Sequence, residues 1–259
     1  MATFTGTMQS KELMRKVSFS AIIPSSTKSI YDPRIDEYKN EGPFRTLYLL
    51  HGWDGNHEDW IQNTRIVELA TKHSIAVIMP SGENSFYVDH NNGDFYGRFI
   101  GQELVNETRH LFNLSTKRED TWIAGLSMGG YGALRNGLIY NETFSKITAF
   151  SSRILTKKDV IHDLSKEDRM NRHLQYITGS KSYQDLNPDM DIYELVLRSN
   201  IPELFIACGT EDFIYEDSLL FHQFLKDKQI NHLYKASTGE HKWDFWDQYI
   251  EKAIEWMVL

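Results

Sequence analysis

Trp122-Ile123-Ala124-Gly125-Leu126-Ser127-Met128-Gly129-Gly130-Tyr131-Gly132-Ala133-Leu134 is the stretch on which the reading of this chain turns. Trp122 to Ala124 is an apolar run of the kind a buried strand shows, and the residues from Gly130 onward read as the start of a helix. Between them lies a Gly-x-Ser-x-Gly turn, so strand, turn and helix have the form of a nucleophile elbow. Small residues belong beside the serine because the backbone there is strained and crowded. Such a turn lifts the Ser127 hydroxyl clear of the sheet and sets the Met128 N–H at a helix N-terminus, where oxyanion charge is stabilised. A Gly-rich turn without chemistry is the plainer alternative, and the context of the motif has to decide between them.

The 259 residues suffice for one large α/β domain or two small ones. Hydrophobic residues make up 41% and charged residues 25%, a globular balance. The net charge of -8 argues against a nucleic-acid partner, whose phosphates would be repelled. The single cysteine, Cys208, excludes an internal disulfide framework and reads as a small buried hydrophobe. Met1-Ala2-Thr3-Phe4-Thr5-Gly6 shows no basic stretch leading into an apolar core, and no apolar run is long enough to span a bilayer. The expectation is a cytoplasmic protein with no membrane partner.

Residues 3–23 read as two strands, a hairpin at one sheet edge, and residues 25–44 as a polar surface loop. Thr46-Leu47-Tyr48-Leu49-Leu50 is continuously apolar, the mark of a strand covered on both faces. It stops at His51-Gly52-Trp53-Asp54-Gly55-Asn56, a turn placed to aim backbone N–H groups into a site. The Trp53 N–H is the candidate for a second oxyanion donor, an ordinary strand-to-helix turn being the alternative. His51 reads as a brace for that loop. Asp59 to Lys72 reads as one helix, and Ile75 to Pro80 as another buried strand. The loop of residues 81–96 follows, where ligands bind in open α/β sheets. Phe86, Tyr87 and Tyr96 are its candidate substrate-lining residues, packing of a long loop onto the body being the other reading. Asp89, His90, Asn91 and Asp94 do not make a calcium loop, because the glycine is misplaced, and no metal is expected.

Phe95 to Phe112 reads as a helix, Glu119 to Ala124 as the strand feeding the elbow, and Ile147 to Ser152 as the next strand. Residues 153–200 are rich in charge and poor in strand signal. Sheet strands stand on either side, so they read as an insertion, either a cap over the serine or a solvated excursion. Pro202 to Cys208 is again a buried strand. Asp217 to Lys228 is read as a helix with Leu219, Leu220, Phe224 and Leu225 facing inward. His232 to Ala236 is the last strand. The final helix carries Trp243, Trp246, Tyr249, Ile250, Ala253, Ile254 and Met257 at helical spacing, a core stripe.

Alternating strands and helices imply a mostly parallel central sheet with helices on both faces, one domain over residues 1–259 with a small cap at about 153–200. In the α/β-hydrolase fold a nucleophilic serine is followed along the chain by an acid and then a histidine, each at a strand end. Asp212, just past Cys208-Gly209, and His241, on the loop after the last strand, occupy those places. Glu211 adjoins Asp212 and is expected to point elsewhere; His232 and His222 fall inside a strand and a helix. His241 would take the Ser127 proton, Asp212 would orient the imidazole, and the N–H groups of Trp53 and Met128 would hold the oxyanion. No cofactor is needed.

With these stretches in view, the sequence resembles the esterase D and tributyrin esterase branch of the α/β-hydrolases, which also includes S-formylglutathione hydrolases. Leu49-Leu50-His51-Gly52, Ala124 to Ala133, Cys208-Gly209-Thr210-Glu211-Asp212-Phe213-Ile214-Tyr215 and Gly239-Glu240-His241-Lys242-Trp243 carry the resemblance, across nearly the whole chain. It implies a carboxylesterase for short acyl esters, with acetylated sugars or feruloyl esters among the substrates of such enzymes. It also implies Ser127, Asp212 and His241 as a triad, Trp53 as an oxyanion donor, and a homo-oligomer. The chain departs from the family at Trp53-Asp54, bulky and acidic, and at the charged 153–200 segment. A thioesterase or acyltransferase on the same triad is the second reading, and a binding module on a hydrolase scaffold the third.

Overall fold

A computed structural model describes residues 1–25 and 42–259; most of the loop expected at residues 25–44 lies outside the described residues. An antiparallel hairpin, β1 (Ala2–Ser10) and β2 (Arg15–Ile23), forms one sheet edge. Next come β3 (Thr46–Leu50), α1 (Asp59–Asn63), α2 (Ile66–His73) and β4 (Ala76–Pro80). A short helix α3 (Tyr96–Arg98) runs through a π turn, Phe99–Glu103, into α4 (Leu104–Leu111). Then follow β5 (Thr121–Leu126), α5 (Met128–Ile139) and β6 (Lys146–Phe150). Residues 153–200 hold α6 (Arg169–Thr178) and α7 (Ile192–Arg198) and no strand. The chain ends with β7 (Glu203–Gly209), α8 (Tyr215–Asp227), β8 (Leu233–Ser237) and α9 (Trp243–Met257).

The strands join in one eight-stranded sheet of order β1-β2-β4-β3-β5-β6-β7-β8. β2 meets β4 antiparallel, and every pairing from β4 to β8 is parallel. This is the mostly parallel sheet of the α/β-hydrolase fold. Parallel strands need crossover helices, which cover both faces, so the central strands are apolar on both sides. β3 shows it: Tyr48 and Leu50 enter one core with Tyr131, Leu134 and Phe221, while Leu47 and Leu49 enter the other with Trp60, Trp246 and Ile254.

Three elements differ from their sequence reading. The helix expected over Asp59 to Lys72 is two helices, broken where Thr64 turns to an extended conformation and its hydroxyl bonds the Trp60 carbonyl. The π turn interrupts the helix expected from Phe95. On α8 the inward face is Asp217, Ser218, Phe221 and Leu225, whereas Leu219 and Leu220 are exposed. The polar pair faces inward because Asp217 has buried partners that apolar periodicity does not register.

Candidate active site

Register brings the site together. Leu126 pairs with Phe150, Phe150 with Ala207, and Gly209 with Ser237, so β5 to β8 end along one rim. The loops leaving that rim carry Ser127, Asp212 and His241.

Ser127 joins β5 to α5 with φ 54 and ψ -118. A side chain in that region costs on the order of 1–3 kcal/mol. Its N–H donates to the Phe150 carbonyl at 2.9 Å, and its own carbonyl accepts from Tyr131 N–H at 3.2 Å, which hold the strained residue in place. The flanking glycines allow the sharp turn. A Cβ on Gly125 would strike the Gly129 backbone, and one on Gly129 would strike the Leu50 and His51 carbonyls, both within 3.0 Å.

Asp212 follows β7 with its carboxylate wholly buried and accepts from Ile214 N–H at 3.0 Å. His241 Nδ1 lies 3.0 and 2.9 Å from the two Asp212 oxygens, and its Nε2 lies 3.1 Å from Ser127 Oγ. A carboxylate only accepts, so Nδ1 carries the proton and Nε2 offers its lone pair to the serine hydroxyl. Burial pushes the Asp212 pKa up, but hydrogen bonding to His241 and Ile214, with the Ser151 hydroxyl nearby, outweighs it and holds the carboxyl below its ordinary value. Glu211 turns away and accepts from the Gly239 N–H. The imidazole is flanked by Trp246, edge-on at 4.9 Å between ring centroids, and by Phe213 at 4.5 Å. Cys208 is no rival nucleophile: burial pushes its thiol up to about 12.

Met128 opens α5, and the first N–H groups of a helix have no intrahelical acceptor. Among the described residues the Trp53 N–H has no backbone acceptor either. Gly52, Trp53, Ser127, Met128 and His241 all line one cavity of about 840 Å³. His51 braces the loop beneath. Its Nδ1 bonds the Gly52 carbonyl at 2.7 Å and its Nε2 accepts from Gly82 N–H at 2.8 Å, while its own carbonyl accepts from the Tyr87 hydroxyl at 2.9 Å. That arrangement needs a neutral ring.

Of the three aromatic residues expected to line the cleft, only Phe86 does, its ring 5.8 Å from Trp53. Tyr87 is fully buried beneath, its hydroxyl spent on His51. Tyr96 is buried elsewhere, its hydroxyl bonded to Arg15. An aromatic loop alternates between cavity and core, and sequence cannot say which ring turns which way. Residues missed from sequence include Phe213 and, from the 153–200 segment, Arg153, His162, Met170 and Leu174, all on the cavity wall. Arg153 pairs with Asp217 and, at 3.0 Å, with Asp159, and His162 Nε2 lies 2.9 Å from Asp217. Asp217 thus fastens the segment to α8. No local pattern announces such pairing. Among the described residues no group of three or more His, Cys, Asp or Glu is placed to hold a metal ion.

Fold and rim define an α/β-hydrolase acting on carboxylic esters with a serine at its elbow. The chain belongs to the family described as "Putative esterase", which matches residues 24–257. It is 40% identical to an acetyl esterase of Caldicellulosiruptor saccharolyticus, across 99% of this chain and 98% of that one. Among solved structures it is similar to the fluorophosphonate-binding serine hydrolase F of Staphylococcus aureus, with TM-score 0.85 and 29% identity over 100% of this chain and 98% of that one. It is also similar to the S-formylglutathione hydrolase of the same organism, with TM-score 0.83 and 29% identity over 100% of this chain and 99% of that one.

Proposed function

We propose that the chain is a serine carboxylesterase for short acyl esters, working through an acyl-enzyme. The observation that carries this is the continuous hydrogen-bonded line from Asp212 through His241 to Ser127 Oγ, opening into the cavity. Ser127 Oγ attacks the ester carbonyl as His241 Nε2 takes its proton. The N–H groups of Trp53 and Met128 hold the oxyanion, each such donor being worth roughly 100- to 1000-fold in rate. The C–O bond then breaks, and the proton on His241 passes to the departing alkoxide. Water repeats the sequence on the acyl-enzyme and releases the acid. Asp212 keeps the imidazole in the right tautomer and stabilises the imidazolium.

The short-acyl reading rests on Trp53, whose indole packs on Phe86 and His173 beside the oxyanion loop. The 40% identity to an acetyl esterase supports it. Residues 153–200 serve as the cap, since Arg153, His162, Met170 and Leu174 wall the cavity. Homo-oligomerisation follows the family resemblance, and a cytoplasmic location is compatible with a lone cysteine that can form no internal disulfide. No helix among the described residues is long and apolar enough to cross a membrane.

Ser127→Ala is expected to lower p-nitrophenyl acetate turnover by at least about 10⁴-fold and to abolish fluorophosphonate labelling. Across acetate, butyrate and octanoate esters the first two should lead. A preference for octanoate, or an active Ser127→Ala variant, overturns the reading. The likeness to an S-formylglutathione hydrolase favours a thioesterase as the second reading; faster turnover of S-formylglutathione than of acetate esters would establish it.

A further inference from the structure

The cavity is apolar on much of its wall, but its charged residues are not balanced. Among the described residues two permanent cations line it, Arg153 and Lys242, and each has an acidic partner. Arg153 lies between Asp217 and Asp159, and Lys242 pairs with Glu240. Three carboxylates also line it: Asp54, Asp59 and Asp244. Asp54 is tied to Asn84, which donates to its carboxylate at 3.2 Å, so its charge is bonded but not cancelled. Asp59 differs from Asp54 and Asp244 in burial, since both of those are exposed. It is half-buried on the first turn of α1, beside Gly55 of the oxyanion loop, and no cation among the described residues pairs with it. Burial raises its pKa above the ordinary carboxylate value and outweighs a backbone hydrogen bond from Asn56 and the charge of nearby His57, which act to lower it.

We infer that Asp59 is a specificity-determining residue, making the cavity select esters whose alcohol or thiol portion is neutral or cationic and reject anionic ones. This rests on the esterase reading above. The physical grounds are two. A carboxylate inside a cleft with low-dielectric walls acts on a bound charge more strongly than one in water. An acceptor-only group also offers a hydrogen bond to a hydroxyl or ammonium and none to a carboxylate. Opposite signs on the substrate should therefore divide on this residue. The inference also separates this chain from a glutathione thioesterase, since the glutathione carboxylates would face Asp59, and among the described residues no cation without an acidic partner lines the wall to meet them.

The test uses thioesters with one acyl group and three leaving thiols: acetylthiocholine (cationic), S-acetyl-2-mercaptoethanol (neutral) and S-acetyl-3-mercaptopropionate (anionic). Thiol release is followed at low ionic strength at pH 8. The native protein is expected to give a cation-to-anion ratio of kcat/KM of at least about tenfold, carried mainly in KM. Asp59→Asn should reduce that ratio about fivefold or more, and 0.5 M salt should compress it in the native protein without any substitution. An anion preference, or a ratio that neither Asp59→Asn nor salt moves, overturns the inference. The neutral thioester keeps the two questions apart: if the native protein cleaves it and Ser127→Ala does not, the catalytic reading stands whatever the charge ratio.

Discussion

His51 shows how a single side chain binds the site to stability. Burial lowers its pKa to about 4, and both ring nitrogens are committed to backbone groups. Free in the unfolded chain it titrates near 6.5, so between those values the unfolded state holds more protons. Its contribution is therefore complete above about pH 6.5, declines as pH falls, and levels off near the folded value. The loss approaches about 3 kcal/mol by linkage. Urea denaturation at pH 7 and pH 4.5 should show this slope in the native protein and a smaller one in His51→Gln. Gly129 makes the opposite point about propensity. Alanine in a helix ordinarily gains about 1 kcal/mol over glycine. Here its Cβ would meet two carbonyl oxygens within 3.0 Å, and backbone cannot yield as a side chain does. Overpacking costs about 1–3 kcal/mol or more, so Gly129→Ala should lower Tm, and an unchanged Tm would refute the close approach.

Among the elements, α8 is where pattern and packing part. Its sequence places Leu219 and Leu220 on an apolar face, yet both are exposed, and Asp217, Ser218 and Phe221 face the core. Asp217 turns the helix: it accepts from Arg153, from Ile154 N–H at 3.2 Å and from His162 at 2.9 Å. Burial works to raise its pKa, and hydrogen bonding to His162 with the charge of Arg153 outweighs it, leaving the carboxyl below its ordinary value. Leu220→Lys should therefore change stability by no more than about 0.5 kcal/mol. Phe221→Ala, which empties the core behind it, should cost about 3–5 kcal/mol. Equal effects in chemical denaturation would contradict the orientation. By contrast α9 reads directly from its spacing, because its whole stripe, from Trp246 to Met257, meets one core and nothing polar competes for that face.

For the molecule entire, the β1–β2 hairpin closes the side of the sheet next to β4, pairing Phe19 to Ile22 with Val77 to Pro80. Removing residues 2–23 would bare a buried parallel strand edge, an aggregation template; light scattering should report association where the full chain shows none of that kind. The sheet, its helices and the rim that gathers the candidate residues were legible in the sequence for a plain reason. Continuous apolar runs are required of strands buried on both faces, and the small residues around Ser127 are required by sterics that act within a few positions. Asp212 and His241 could be located because each follows a strand end. Tertiary structure alone decided which aromatic ring of residues 86, 87 and 96 reaches the cavity, which face of α8 turns inward, and that Arg153 arrives already neutralised while Asp59 does not. Those outcomes depend on partners distant along the chain, such as His51 for Tyr87, 36 positions away, and Asp217 for Arg153, 64 positions away. Burial and pairing at that range are set by how elements pack, and local periodicity carries no record of it.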